Sequence, residues 1–274
     1  MSSVRGRARR ELKRGLRHLV AAAAAIERRA VVTGPRVLCY HGVCEDPPDE
    51  WSVTPEQLRR HLDLVTASYV PTPLGHIVDW LEGGRELPDN AVAVTFDDGF
   101  VDVLDTAVPL LAAAGVPGAV FVVSGLTSGT SLPDPSYRPS RPIMSWRDVE
   151  EIVALGWTVG SHSVTHPQLS SLPAARARDE LLRSRDELEQ RLQRRVDLLA
   201  YPYGTTHTVS PREHSLAAEA GYRAAFLDMT GPLSRGSDVM ALPRSKVLGI
   251  DSSFVARASV AGRLDRWRHI EARG

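Results

Sequence analysis

An α/β fold on parallel strands is what this 274-residue sequence predicts, and three observations carry the prediction. From about residue 35 onward, short apolar β-rich runs alternate with helical segments, a pattern of parallel strands and crossover helices in an open sheet or a barrel. The polar residues of chemical interest, His41, Asp97, Asp98, His162 and Tyr203, stand where predicted strands end. The carboxyl ends of the strands are where parallel α/β folds build their sites. No linker or internal repeat divides the chain, so a single domain over about 35–262 accounts for it. A basic extension (1–34) precedes that domain and a charged tail (263–274) follows it.

Each element has a local reason. Val37-Leu38-Cys39-Tyr40 reads as a buried strand ending at His41. Thr54-Pro55-Glu56-Gln57 is a capping box with proline at the first helical position, opening a helix to about Ala67. Val92 to Phe96 is β-rich and stops at Asp97-Asp98-Gly99. A helix through Pro109-Leu110-Leu111 ends at Gly115, and Ala119 to Val123 forms the next strand. Residues 127–142, rich in Ser, Pro and Gly, are a long loop. Ser145 caps a helix to Gly156, and Trp157 to Gly160 is a strand that stops at Ser161-His162. A long helix covers Ala174 to Arg194 with its Arg and Glu faces solvated. Leu198 to Tyr201 leads into Pro202-Tyr203-Gly204, and Ser210-Pro211-Arg212-Glu213 is a second capping box with Gly221 as the stop. Strands near Ala224 to Leu227 and Leu242 to Val247 complete the alternation.

Composition excludes several classes. Lys plus Arg and Asp plus Glu both number 33, and the hydrophobic share of 43% is ordinary for a globular chain. No apolar run approaches the roughly 20 residues that a spanning helix needs. The zero balance hides an asymmetry: residues 1–36 hold ten Lys/Arg against Glu11 and Glu27, about +8, which leaves about −8 elsewhere. An acidic body argues against nucleic acid as a partner. Residues 1–30 have helical propensity and fit a solvated amphipathic helix, a helix lying on an anionic lipid surface, or a secretion signal faintly echoing a twin-arginine motif at Arg9-Arg10. Localisation follows whichever of these holds, with a cell-envelope or extracellular setting preferred to the cytoplasm. Two cysteines, Cys39 and Cys44, are too few for a disulfide scaffold. Their spacing admits a zinc reading or a disulfide, while a core-facing Cys39 is the simpler account.

Two motifs concentrate the chemistry. In Thr95-Phe96-Asp97-Asp98-Gly99, adjacent carboxylates past a strand point apart, so one can bind a cation while the other handles protons; the plain alternative is an Asp-Asp-Gly turn. In His162-Ser163-Val164-Thr165-His166, Pro167 disfavours a helix at His166, which leaves the two imidazoles on a loop. Two histidines and one aspartate make a three-ligand zinc site with an open position for water, whose pKa the metal lowers toward 7.

Together these segments resemble the polysaccharide deacetylase family (carbohydrate esterase family four, the NodB-homology domain) over roughly residues 35–250. The family's first motif is intact at 95–99, its second at His162 to His166, and its third appears as Tyr201-Pro202-Tyr203-Gly204. Flanking stretches at Val116 to Val122 and Gly156 to His162 fit as well. The resemblance implies a distorted (β/α) barrel and metal-dependent removal of an acyl group, usually acetyl, from an amino sugar. It implies that Asp98, His162 and His166 hold one divalent metal, with zinc preferred, and that Asp97 is the general base. The Tyr203 N–H would help hold the oxyanion, and its ring would line the sugar site. Trp146 is a candidate for stacking on a sugar ring or for core packing.

The chain departs from the family pattern in two places. The position where many members carry an arginine before the third motif reads Ala200, and the late Leu-x-His that supplies the general acid is missing, since only His269 follows Val247. Leu38-Cys39-Tyr40-His41-Gly42-Val43 resembles the early Tyr-His motif of the branch that includes poly-β-1,6-N-acetylglucosamine deacetylases. His41 is therefore expected as the acid and Arg244 as the replacement partner of Asp97. The expected substrate is an N-acetylated polysaccharide or glycoconjugate. Two rivals are hydrolysis of a C–N bond in a non-sugar amide on the same fold, and a catalytically inactive glycan-binding module. Oligomeric state is not legible.

Overall fold

Strands β1 (Arg36–Tyr40) and β3 (Ala91–Phe96) are buried along their whole length, as parallel strands covered on both faces must be. They pair in parallel from Arg36 with Val92 to Tyr40 with Phe96. The computed structural model that places them describes residues 2–26, 34–267 and 270. Parallel pairing continues from β3 through β4 (Gly118–Val122), β5 (Thr158–Ser161), β6 (Leu198–Ala200) and β7 (Ala224–Phe226). A short β2 (Val70–Pro71) pairs with the start of β3, and β8 (Ser245–Lys246) lies on the other edge of β1.

The expected strand from Leu242 to Val247 is realised as two separate pairings. Leu242 bridges in parallel to Phe226 of β7, while Ser245 and Lys246 pair with Leu38 and Cys39 of β1. Pro243, which has no N–H to give a ladder, sits where the run changes neighbours. This segment draws the two ends of the parallel sheet together and curls it into the distorted (β/α) barrel of a single domain.

Side chains alternate across the barrel wall with period two. Val37, Ala93, Ala119 and Phe121 belong to the interior cluster, which α3 (Leu74–Leu81) closes from below through Leu74, Ile77, Val78 and Leu81. Leu38, Tyr40, Val94, Phe96, Val120 and Val122 face outward onto helices. Those helices are α2 (Pro55–Ser68), α4 (Val108–Ala114) and α6 (Trp146–Ala154). By the same alternation Cys39, Thr95 and then His41 and Asp97 point inward above the apolar floor.

The helix signals hold with small shifts of boundary. Thr54 and Gln57 form a reciprocal capping box on α2, Ser145 and Asp148 on α6, and Ser210 and Glu213 on α8 (Pro211–Glu219). Helix α4 is entered through a π-helical turn, Val103–Ala107, with Pro109 in the first turn beyond it. Proline lacks the N–H that a regular helix would use there. A short α5 (Ser124–Thr127) precedes the long loop. Helix α7 (Ala174–Leu192) ends at Gln193 in the left-handed conformation. Its expected solvated face needs one correction: Glu180 is buried.

At the chain ends, α1 (Ser2–Ile26) packs on α9 (Ser253–Val260). Ala21, Val255, Ala258, Leu264 and Trp267 form a satellite cluster there. The Arg17 guanidinium is fully buried and donates to both carboxylate oxygens of Asp251 at 2.7 Å. The start of the charged tail is tied down as well, since Arg36 bridges both oxygens of Asp265 at 2.9 Å. Residues 27–33 of the extension and 268–269 and 271–274 of the tail, His269 among them, lie outside the described residues.

Candidate active site and metal centre

The five polar residues predicted at strand ends converge on one cavity of about 590 Å³, which Asp97, Asp98, His162, His166, His41 and Tyr203 all line. The backbone there is forced. Asp98, Ser163, His166 and Tyr203 have φ of 72°, 64°, 60° and 63°, leaving Gln193 as the one other non-glycine residue with positive φ among those described. Each such residue costs on the order of 1–3 kcal/mol and persists where its surroundings over-determine it.

The surroundings can be named. Asp97 continues the β1–β3 ladder by donating its N–H to the Tyr40 carbonyl at 2.9 Å, and the reversal at Asp98 then turns the second carboxylate away from the first. In the histidine loop, Glu180 of α7 accepts from the N–H groups of Val164 and Thr165 and from the Thr165 hydroxyl, each at 2.9 Å. Ser124 and Gly125 donate their N–H groups to the Ser163 and Val164 carbonyls, and Ser163 Oγ accepts from the His166 N–H. At the third motif, Gly204 has φ of 47° and its backbone abuts that of Asp228 so closely that a Cβ would collide with the Asp228 nitrogen. The Tyr203 N–H meets no acceptor among the described residues.

Adjacent carboxylates have opposite environments. Asp97 receives a two-pronged contact from Arg244, with Nη1 to Oδ1 at 2.7 Å and Nη2 to Oδ2 at 2.6 Å. Arg244 is fully buried, and its Nε donates to the Leu227 carbonyl at 3.0 Å. Burial pushes the Asp97 carboxyl up, but the Arg244 guanidinium, His162 and His41 outweigh it and hold the group well below the ordinary carboxylate range. For Asp98, burial dominates and the neighbouring histidines do not offset it, so its carboxyl is raised. Pairs of titratable groups driven apart in this way separate acid, base and ligand roles.

The donor set of Asp98, His162 and His166 fits a divalent cation. Asp98 Oδ1 lies 3.6 Å from His162 Nε2 and 3.4 Å from His166 Nε2, and this buried oxygen has no hydrogen-bond partner. Donors about 2.0–2.1 Å from a tetrahedral zinc stand roughly 3.3–3.4 Å apart. His162 Nδ1 donates to the Ala200 carbonyl at 2.7 Å, which leaves the Nε2 lone pair free to point at Asp98. Burial, followed by the proximity of His162, lowers His166 well below the ordinary histidine range, which favours its neutral ligand form. The Ala200 position, where an arginine was expected from the family pattern, thus serves His162 through its backbone. The cysteines do not share a site. Both are free; Cys39 points inward with its thiol 3.5 Å from Asp97 Oδ2, and Cys44 lies beside Arg141.

His41 lines the same cavity with a ring nitrogen within 4.8 Å of the Asp97 carboxylate, and its ring is 5.4 Å from that of Trp51. Trp146 is not brought to the site: it is half-buried in the first turn of α6 against the outer core and is absent from the cavity lining. Trp51 supplies the aromatic wall instead, in a loop that carries no local signal. Sequence reasoning also missed Tyr137, whose ring stacks on His166 at 3.9 Å, and the Lys246–Asp228 ion pair at 3.0 Å. Asp228 follows the last residues of β7, so the strand-end rule that found Asp97 would have found it too. Arg141 was missed as well. It forms an ion pair with Asp102 at 2.7 Å and lies across Gly42, where any side chain would collide with the guanidinium. Asp102 in turn accepts from the Val43 N–H, so this network fixes the turn after His41.

A sequence model of the polysaccharide deacetylase family matches residues 84–225. The chain is 23% identical over 159 residues to YxkH of Bacillus subtilis (strain 168), whose name places it among the polysaccharide deacetylases. That match covers 58% of this chain and 52% of YxkH, so the chain spans about half the length of this relative. Among solved structures, the deacetylase PplD of Streptococcus pyogenes, in complex with acetate, superposes with a TM-score of 0.72 at 21% identity, covering 84% of this chain and 99% of PplD. IcaB of Ammonifex degensii superposes with a TM-score of 0.70 at 25% identity, covering 84% of this chain and 97% of IcaB.

Proposed function

The chain belongs to the polysaccharide deacetylase family, and on that premise we propose that it hydrolyses N-acetyl groups from an amino-sugar polysaccharide or glycoconjugate, releasing acetate and a free amine. The observation that carries this reading is the convergence, on one cavity floor, of an arginine-paired Asp97 with the Asp98–His162–His166 donor set. Asp98, His162 and His166 would hold a divalent metal, zinc in our reading, which would polarise the amide carbonyl and acidify the water that attacks it. Asp97 accepts a proton from that water, and Arg244 keeps its carboxylate oriented. The Tyr203 N–H donates to the carbonyl oxygen as negative charge develops on it. His41, which lines the same cavity, gives a proton to the leaving nitrogen as the C–N bond breaks. The Tyr203 ring and Trp51 border the sugar. The reading extends to a cell-envelope glycan as the natural substrate.

The test is acetate release from N-acetylglucosamine oligomers by protein stripped of metal and then reloaded with zinc. Zinc-dependent release is expected, falling about 10²–10⁴-fold in Asp97→Asn and in His41→Ala while both variants retain metal. Metal uptake without release from any oligomer would move the substrate to a non-sugar amide. Failure to take up metal would overturn the ligand set.

A further inference from the structure

Helix α1 has two unlike faces. On the inner face, Arg17 is locked to Asp251, Ala21 is buried, and Lys13 pairs with Glu50 at 2.5 Å while lying 4.5 Å from the centre of the Trp51 ring. The rotation of the helix is thereby fixed, and its opposite face has no cover among the described residues. Leu12, Leu16 and Leu19 are exposed there by 64%, 38% and 67%. Their spacing of four and three residues puts them in one stripe, which Ala8 and Ala23, both exposed, extend at either end. Arg9 and Arg14 are exposed on the same helix. Single exposed leucines are ordinary, but a continuous stripe on one helix marks a contact surface.

We infer that α1 is a membrane-surface helix, which lays its Leu12–Leu16–Leu19 stripe into the interface of an anionic bilayer while its inner face stays on the catalytic body. Three observations select lipid. The surface is the convex side of a single helix, which suits a deformable partner. Residues 1–36 carry about +8, or about +5 once Lys13, Arg17 and Arg36 are set against Glu50, Asp251 and Asp265, which draws them to anionic headgroups and sets two copies of this face against each other. Finally, the apolar side chains of α1 form a stripe along one side with basic residues beside it, the arrangement of a helix that lies in an interface. Lys13 joins this helix to Trp51 of the cavity wall, so lipid contact brings the cavity to roughly one helix diameter, about 10 Å, from the interface. The glycan served from that position is one tethered to, or laid down at, a membrane.

The inference stands apart from the deacetylase reading, and its test is separate. The full chain is sedimented with vesicles of phosphatidylcholine containing phosphatidylglycerol and with vesicles of phosphatidylcholine alone. Co-sedimentation with the anionic vesicles, weakened by salt, is expected. The triple variant Leu12→Gln, Leu16→Gln, Leu19→Gln should lose about tenfold or more of it. Because these side chains are exposed, its melting temperature and its acetate release from a soluble oligomer should stay unchanged. No binding to anionic vesicles, or binding undiminished in the triple variant, overturns the inference. So does a concentration-dependent dimer, seen by light scattering, that the same substitutions abolish, for that would assign the stripe to a second copy.

Discussion

The two walls of the cavity are built in different ways. The wall carrying Asp98, His162 and His166 comes from two contiguous motifs, each following one strand, and hydrogen bonds, those to Glu180 of α7 among them, hold its left-handed backbone. The other wall gathers His41, Trp51, Asp228 and Lys246 from both ends of the domain, together with Asp97, which the buried Arg244 pairs. Its decisive contact, Arg244 with Asp97, spans 147 residues. A donor set for a cation needs fixed short distances, which short loops supply. A counter-ion for a buried carboxylate needs only to arrive with the right fork, so it can come from anywhere the barrel brings a strand. One wall is therefore a property of sequence motifs and the other a property of the closed ring.

The largest expected effect breaks the long-range wall. Arg244→Leu leaves the buried Asp97 carboxylate without its partner and should cost about 3–5 kcal/mol in urea unfolding. Adding Asp97→Asn should return much of that loss, and a double variant no more stable than Arg244→Leu alone would refute the account.

Next in size is a pH effect behind the same wall. His61 of α2 is buried beside Tyr40, with the Tyr40 hydroxyl 3.3 Å from its Nδ1. Burial lowers His61 to about 4 from the ordinary 6.5, a shift opposed by Asp251 and aided by Arg60. As pH falls through 6.5, the unfolded chain takes up a proton that the folded chain refuses. Stability is thus full above pH 6.5 and declines toward pH 4, by about 3 kcal/mol in all. His61→Phe should flatten that slope.

The smallest effect sharpens the local wall. Glu180→Gln keeps an acceptor but loses the charge-assisted bonds that hold the histidine loop in its left-handed turns. Metal affinity, read by titration with a chelating indicator, should fall about 10–100-fold with the secondary structure intact. Unchanged affinity would mean that the loop holds its shape without Glu180.

The contrast also explains how much could be read in advance. The parallel strands, the capping boxes at Thr54 and Ser210, and the carboxylate and histidine motifs all depend on neighbours in sequence, and all were legible. The same is true of His41 and Tyr203 at strand ends. Arg244 was inferred from a gap in the family pattern, and only the folded ring shows its fork on Asp97. Trp146 was open between stacking on a sugar and core packing, and Trp51 went unremarked, because aromatic residues near a site look alike until packing sorts them. Glu180 read as one more charge on a solvated helix, since nothing in the local pattern of α7 marks the side that meets the histidine loop. The docking of α1 rests on Arg17 reaching Asp251, 234 residues away, and no short-range rule anticipates that pairing.

Closure of the barrel by the Leu242–Lys246 run bears on the order in which the protein is made. Asp97 leaves the ribosome 147 residues before Arg244, an interval of about 7–30 s at ordinary rates of synthesis. Throughout that interval the nascent chain can form most of its sheet yet lacks the cation that makes burial of Asp97 tolerable. The cavity can shut only after residue 244 has been made, and a chain truncated before it carries Asp98, His162 and His166 beside an Asp97 carboxylate that has no reason to stay inside.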